Sequence, residues 1–194
     1  MTEAAQTDRT LDAFIGECRR IAAGAGDAAA TVDAIAPLMM KLLRSDRSFL
    51  RAEHFRSSPD HYTRNAIYIS DDESLSLYAL VWLPGQWTPV HDHGSWGVVG
   101  VLQGVLEERS YMSADGEIRA DSGIRLKRGG TILLDHGSVT TFVPNPDHIH
   151  VTGVSPDRER VVSLHLYGRN MNSFHVYDIA AGTRRLIDVP HQKS

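Results

Sequence analysis

The stretch Thr88-Pro89-Val90-His91-Asp92-His93-Gly94-Ser95-Trp96-Gly97 concentrates residues able to do chemistry. His91 and His93 are two apart, and residues i and i+2 of a β-strand point to one face. The pair can therefore offer two imidazoles to one metal ion. Pro89 and Gly94 bracket it, as expected where a strand end bends to aim side chains. Two imidazoles seldom hold an ion alone, and His148 and His150 offer a third after Pro144-Asn145-Pro146-Asp147. His150 is followed by Val151-Thr152 and lies within a predicted strand, so it is the preferred ligand. His148 lies nearer the turn and is read as standing outside the ligand set. No carboxylate occurs between Gly94 and Gly100, and Glu107 and Glu108 fall beyond the next turn. The expected donor set is three neutral imidazoles, which leaves a divalent ion its full charge and open positions for thiolate or carboxylate donors.

Two other groups could act beside such an ion. In Val161-Val162-Ser163-Leu164-His165-Leu166-Tyr167, period two puts Ser163, His165 and Tyr167 on one face and the leucines on the other. A Ser–His–Tyr row can pass a hydrogen bond along its length and polarise the Tyr hydroxyl. A hydrolytic triad fits less well, because the histidine has no acidic orienter. Arg64, in Tyr62-Thr63-Arg64-Asn65 at the entry to the first predicted strand, could clamp a carboxylate with two parallel N–H donors.

The elements that must position these groups change character along the chain. Residues 1–8 are expected to be disordered. Leu11, Phe14, Ile15, Cys18 and Ile21 mark one helix face, stopped by Gly24 and Gly26. Cys18 on that face is read as a buried small hydrophobe. A second helix starts near Asp27, is expected to break or restart at Pro37, and carries Leu38, Met39, Leu42 and Leu43 as a core stripe. From about Asn65 the period becomes two. Predicted strands are 65–70, 75–83, 98–102, 105–112, 123–126, 131–134, 140–143, 149–154, 160–167, 174–178 and 184–189, separated by turn signals that include Gln103-Gly104 and Arg128-Gly129-Gly130. Many short strands after a helical start predict a mainly β jelly-roll barrel, with residues 9–194 as one domain whose helical part spans about 9–45.

Composition bounds the rest. A net charge of −4 supplies no basic field for nucleic acid. One cysteine allows neither an internal disulfide nor a thiolate-rich metal site. No apolar run approaches the about 18 residues of a membrane span, and the polar, acidic start has no signal-peptide pattern, so a cytoplasmic protein is expected. Neither terminus offers a pattern from which an oligomeric state can be read.

Taken together, Tyr62-Thr63-Arg64-Asn65, Pro89-Val90-His91-Asp92-His93 and Ser163-Leu164-His165-Leu166-Tyr167, with the interval from His150 to His165, resemble the cysteine dioxygenase family, thiol dioxygenases of the cupin superfamily. The resemblance spans roughly residues 30–180. It implies a cupin barrel and one Fe(II) held by His91, His93 and His150. It implies oxidation of a small-molecule thiol by O2 to a sulfinate, with no organic cofactor. Arg64 would bind the substrate carboxylate with Tyr62 beside it. Tyr167, held by His165 and in turn Ser163, would hydrogen-bond to the reacting groups, and Trp96 and Trp82 would line the pocket or fill the core. An Arg at position 64 suggests L-cysteine; relatives acting on 3-mercaptopropionate carry Gln there, and mercaptosuccinate relatives also carry Arg. Animal members have a cysteine cross-linked to the relay tyrosine. Cys18 lies far from Tyr167 in sequence, so the resemblance is to the bacterial type with a free tyrosine. Bacterial relatives usually show Pro-Gly-Asp before the third ligand, and this chain does not. A non-catalytic metal-binding cupin, or a cupin isomerase using Zn or Mn, is compatible with a bare metal site but gives no part to Arg64 or the Ser163–His165–Tyr167 row.

Overall fold

The computed structural model describes residues 3–144 and 148–189. Asn145, Pro146 and Asp147 of the turn expected before His148 lie outside the described residues. Two helices open the chain, α1 (Glu3–Gly24) and α2 (Ala28–Leu43). The first begins within the stretch expected to be disordered: Glu3, Ala4, Ala5 and Gln6 are good helix formers and extend it. Asp27 caps α2 by accepting the N–H of Ala30 at 2.8 Å. Pro37 neither breaks nor restarts α2. It sits on the exposed side, where the carbonyl it leaves without a partner can be hydrated. Among the described residues no helix is long and apolar enough to cross a membrane.

Ten strands follow: β1 (Thr63–Ile69), β2 (Ser76–Trp82), β3 (Gly97–Gln103), β4 (Leu106–Ser113), β5 (Leu126–Leu134), β6 (Val139–Phe142), β7 (Ile149–Gly153), β8 (Val161–Tyr167), β9 (Ser173–Asp178) and β10 (Thr183–Asp188). One sheet has the order β1-β2-β8-β3-β6. The other side is built from β5-β4-β7 and β10-β9, joined through His91, which bridges antiparallel to His150 of β7 and to Val176 of β9. The fold is the mainly β cupin jelly roll with N-terminal helices that the sequence predicts.

The predicted strand 123–126 and the turn at Arg128-Gly129-Gly130 are both corrected. Gly123 has a left-handed φ of 73°, which ends any strand there. Gly129 and Gly130 lie inside β5 and form a bulge there, two residues facing the single Ser110 of β4. A Cβ on Gly129 would fall 2.6 Å from Ser110 Oγ, so the glycine permits close approach and does not turn the chain.

Alternation in the first sheet separates two cores. Leu77, Ala79, Val81, Val98, Leu102, Val162, Leu164 and Leu166 face the helices and pack with Phe14, Ile15, Cys18, Ile35 and Met39. A Cβ on Gly100 would meet Met39 and Leu43 at 2.9 Å, so this glycine lets α2 approach β3 closely. The alternate residues Tyr78, Leu80, Trp82, Val99, Val101, Val161 and Tyr167 face inward. At about 25 cal/mol per Å2 of apolar surface, each buried Leu or Val contributes on the order of 1.5–3 kcal/mol, so the parity of these strands is strongly enforced.

Candidate metal centre

The backbone brings the histidines together before their side chains are considered. His91 N–H donates to the His150 carbonyl at 2.9 Å, and His150 N–H donates back to His91 at 3.0 Å. Asp92 N–H donates to the His175 carbonyl at 3.2 Å, and Tyr177 N–H to Val90 at 2.9 Å, so the segment is held from both sides. His91, His93 and His150 are all buried, and one nitrogen of each lies within 4.8 Å of the others. The ring centroids of His91 stand 4.8 Å from His93 and 4.7 Å from His150. His93 stacks on Phe142 at 4.2 Å, and a Cβ on Gly97 would strike that phenyl ring at 2.2 Å.

The donors present suit a divalent cation. Burial drives the pKa values of His91 and His93 well below the usual imidazole value, and the neighbouring imidazoles add to the effect. Burial also lowers His150, against the opposing pull of Glu108. Neutral imidazoles keep a lone pair to give. The Nδ1–H of His91 donates to the Pro89 carbonyl at 3.1 Å, leaving Nε2 free. His93 Nδ1 is buried with no hydrogen-bond partner among the described residues, an orphan expected where a ligand belongs.

A cavity of about 20 Å3 adjoins the three imidazoles, and Tyr62, Arg64, Trp82, His165 and Tyr167 also line it. Arg64 is 8% exposed; its Nη2 donates to the Met171 carbonyl, and its guanidinium lies 4.9 Å from the Tyr78 ring centroid. Its Nη1 is buried without a partner among the described residues. Tyr62 stacks on Trp82 at 4.5 Å. Trp96 is only half-buried and packs at the helix-facing core, so of the two tryptophans Trp82 alone reaches the cavity.

On β8 the row is continuous. Ser163 Oγ lies 2.8 Å from His165 Nε2, and His165 Nδ1 lies 3.1 Å from Tyr167 Oη. The Trp82 indole N–H donates to Ser163 Oγ at 2.9 Å. Indole can only donate. Ser163 can then give its own proton to His165 Nε2, an arrangement in which Nδ1–H donates to Tyr167 and the Tyr167 proton is left for the cavity. Burial lowers His165 to about 3, with His150 and Arg64 adding to the shift, so the ring stays neutral. Burial raises Tyr167 above its ordinary value, so the phenol stays protonated.

The sequence matches the cysteine dioxygenase type I family over residues 5–180. The chain belongs to that family. Membership and the three converging imidazoles support a thiol dioxygenase-like metal enzyme, a class that acts on a small molecule and O2. Similar solved structures include a conserved protein with a double-stranded β-helix domain from Klebsiella pneumoniae (16% identity over 71% of this chain and 93% of that one, TM-score 0.43). An RmlC-like cupin protein from Ralstonia eutropha has 11% identity over 69% and 72%, with TM-score 0.46. An oxalate oxidase in complex with glycolate has 16% identity over 66% and 60%, with TM-score 0.44.

Three residues of the centre escaped the sequence reading. Asp92, between two of the imidazoles, turns the other way and accepts from the His175 backbone N–H at 3.1 Å, from His175 Nδ1 at 3.0 Å and from Tyr177 Oη at 2.8 Å. The alternation of His175 and Tyr177 on one strand was the available signal. Glu108, placed beyond the turn by its position in sequence, returns to the site: Oε2 lies 3.3 Å from His150 Nδ1 and Oε1 lies 3.2 Å from His148 Nε2. Burial pushes its carboxyl up, but the two imidazole N–H groups outweigh that and hold it below the usual carboxylate range. The third is the Met171 carbonyl that holds Arg64.

Proposed function

We propose that this protein is an Fe(II)-dependent dioxygenase that converts L-cysteine and O2 to cysteine sulfinate, with His91, His93 and His150 as the metal ligands. The reading rests on one observation: the cavity beside the three imidazoles is also lined by a buried guanidinium with an unpaired N–H and by a buried phenol. Iron bound there would supply coordination of the thiolate and activation of O2. Both oxygen atoms of O2 end on sulfur, so no external reductant is needed.

Arg64 carries the binding step. With Nη2 held by Met171, Nη1 remains to meet a carboxylate at a buried position, where a charge-assisted bond is strong. Fixing that end of the substrate orients its sulfur toward the imidazoles. Tyr167 offers its hydroxyl proton to the reacting end, and the Trp82–Ser163–His165 chain keeps that proton pointing inward. Tyr62 closes the cavity wall against Trp82.

The charge of the lining favours a mercapto-acid with one carboxylate, such as cysteine, over mercaptosuccinate. Arg64 is the one permanent cation among the described lining residues, which suits a single carboxylate better than the two of mercaptosuccinate. The deciding experiment loads the protein with Fe(II) without oxygen and measures O2 uptake with L-cysteine, 3-mercaptopropionate and mercaptosuccinate. Stoichiometric uptake with cysteine is the expected result. Uptake with another mercapto-acid alone would move the substrate and leave the reaction class, and no uptake with any thiol would reject both.

A further inference from the structure

Beyond its likeness to a metal centre, the site has a second face. His150 Nδ1 lies beside a carboxylate that it shares with His148. Glu108 is 6% exposed and His150 is 3% exposed. The two carboxylate oxygens take one imidazole each, His148 Nε2 on Oε1 at 3.2 Å and His150 Nδ1 on Oε2 at 3.3 Å. The two nitrogens themselves lie 3.2 Å apart. An ionised carboxylate has only acceptors to offer. Both nitrogens can then carry hydrogen, and the pair enters the carboxylate as a fork.

We propose that Glu108 is a positioning residue that fixes His150 as its Nδ1–H tautomer, so that Nε2 is the nitrogen left to bind metal. The inference rests on His150 being a ligand, as read above. Register supports it independently. Ser110 of β4 pairs with His150 of β7, and Glu108 is two residues along the same strand, which puts it on the same face at the diagonal position. His91 reaches the same end differently, through the Pro89 carbonyl, so two ligands are fixed by two separate acceptors. His148 is the outer member of the fork: it stacks on Phe142 at 5.0 Å and keeps Glu108 in place from the more exposed side.

The test uses the full-length, metal-free protein. Long-range 1H–15N correlation spectra of the histidine rings, assigned with His148→Gln and His150→Gln, report the tautomer directly. An Nδ1–H His150 in the wild type, lost or mixed in Glu108→Gln, is the expected result. Gln keeps the size but presents an amide N–H2 to one of two N–H donors. Co(II) titration followed by visible absorption should then show affinity falling about 10–100-fold in Glu108→Gln. Glu108→Asp, which keeps both acceptor oxygens, should recover part of the loss, and His148→Gln should leave the tautomer of His150 unchanged.

An Nε2–H His150 in the wild type would overturn the inference, as would full Co(II) affinity in a folded Glu108→Gln. So would two Co(II) ions per wild-type chain with one lost in Glu108→Gln at unchanged affinity for the other, because Glu108 would then be a ligand to a second ion. Absence of any Co(II) binding with an Nδ1–H His150 in the wild type would reject the metal centre and leave the tautomer assignment standing.

Discussion

Trp82 and Ser163 are joined by an indole N–H to hydroxyl hydrogen bond of 2.9 Å between neighbouring strands, and it favours one direction for the polar row on β8. Trp82→Phe keeps a ring against Tyr62 but removes the donor. Ser163 can then rotate, and His165 can present either tautomer to Tyr167. Loss of one buried hydrogen bond, about 1–1.5 kcal/mol, corresponds to roughly a tenfold fall in kcat with KM for cysteine little changed. Steady-state O2 consumption separates the two parameters, and a raised KM at normal kcat would place Trp82 in substrate binding instead.

Arg64 should act on the carboxylate and on nothing else. Arg64→Met removes the charge and keeps much of the side-chain bulk. A charge-assisted pair in a dry site is worth on the order of 3 kcal/mol, so kcat/KM for cysteine should fall by about 100-fold or more. Cysteamine, which lacks the carboxylate, should be oxidised equally by both proteins. Equal losses for both thiols would mean that the substitution damages the cavity.

Asp92 holds the ligand segment to β9 by accepting from His175 and Tyr177. Asp92→Asn turns one acceptor into a donor facing donors. The expected cost is about 1–3 kcal/mol, seen as a Tm lower by several degrees, together with weaker Co(II) binding. Unchanged melting would show that His175 and Tyr177 find other partners.

Cys18 is fully buried in the helix-facing core, and burial pushes its thiol up to about 12. At pH 8 only about one molecule in ten thousand would carry thiolate, so Ellman's reagent should label the native protein very slowly and the urea-unfolded protein at once. Rapid labelling of the native form would contradict the packing of α1 against the sheet.

Much of this architecture can be read from short-range patterns. Period two in Val161–Tyr167 puts the leucines toward the helices and the polar residues inward, and the same parity runs through β2 and β3. The spacing of His91 and His93 and the strand context of His150 need only local rules. What sequence could not supply depends on pairing between distant strands. Glu108 reaches His150 because β4 and β7 are neighbours in a particular register. Gly129 and Gly130 look like a turn until their pairing with β4, as a bulge facing Ser110, is known. Pro37 reads as a break because the exposure of its side of α2 is a tertiary fact.

The pair of main-chain bonds exchanged by His91 and His150 has a bearing on how the protein acquires its ion. In a zinc finger the cation gathers its own donors, and the apo chain is unstructured. Here the amide ladder sets the distance between two donors, and the surrounding hydrophobic layers have already met the entropy of bringing them together. Dialysis against a chelator should therefore leave the far-UV circular dichroism intact, with occupancy restored on adding Fe(II) back. Charging with metal would then be a late, reversible step, so one batch of polypeptide could be supplied in turn with ferrous, cobaltous or zinc ions and compared without refolding.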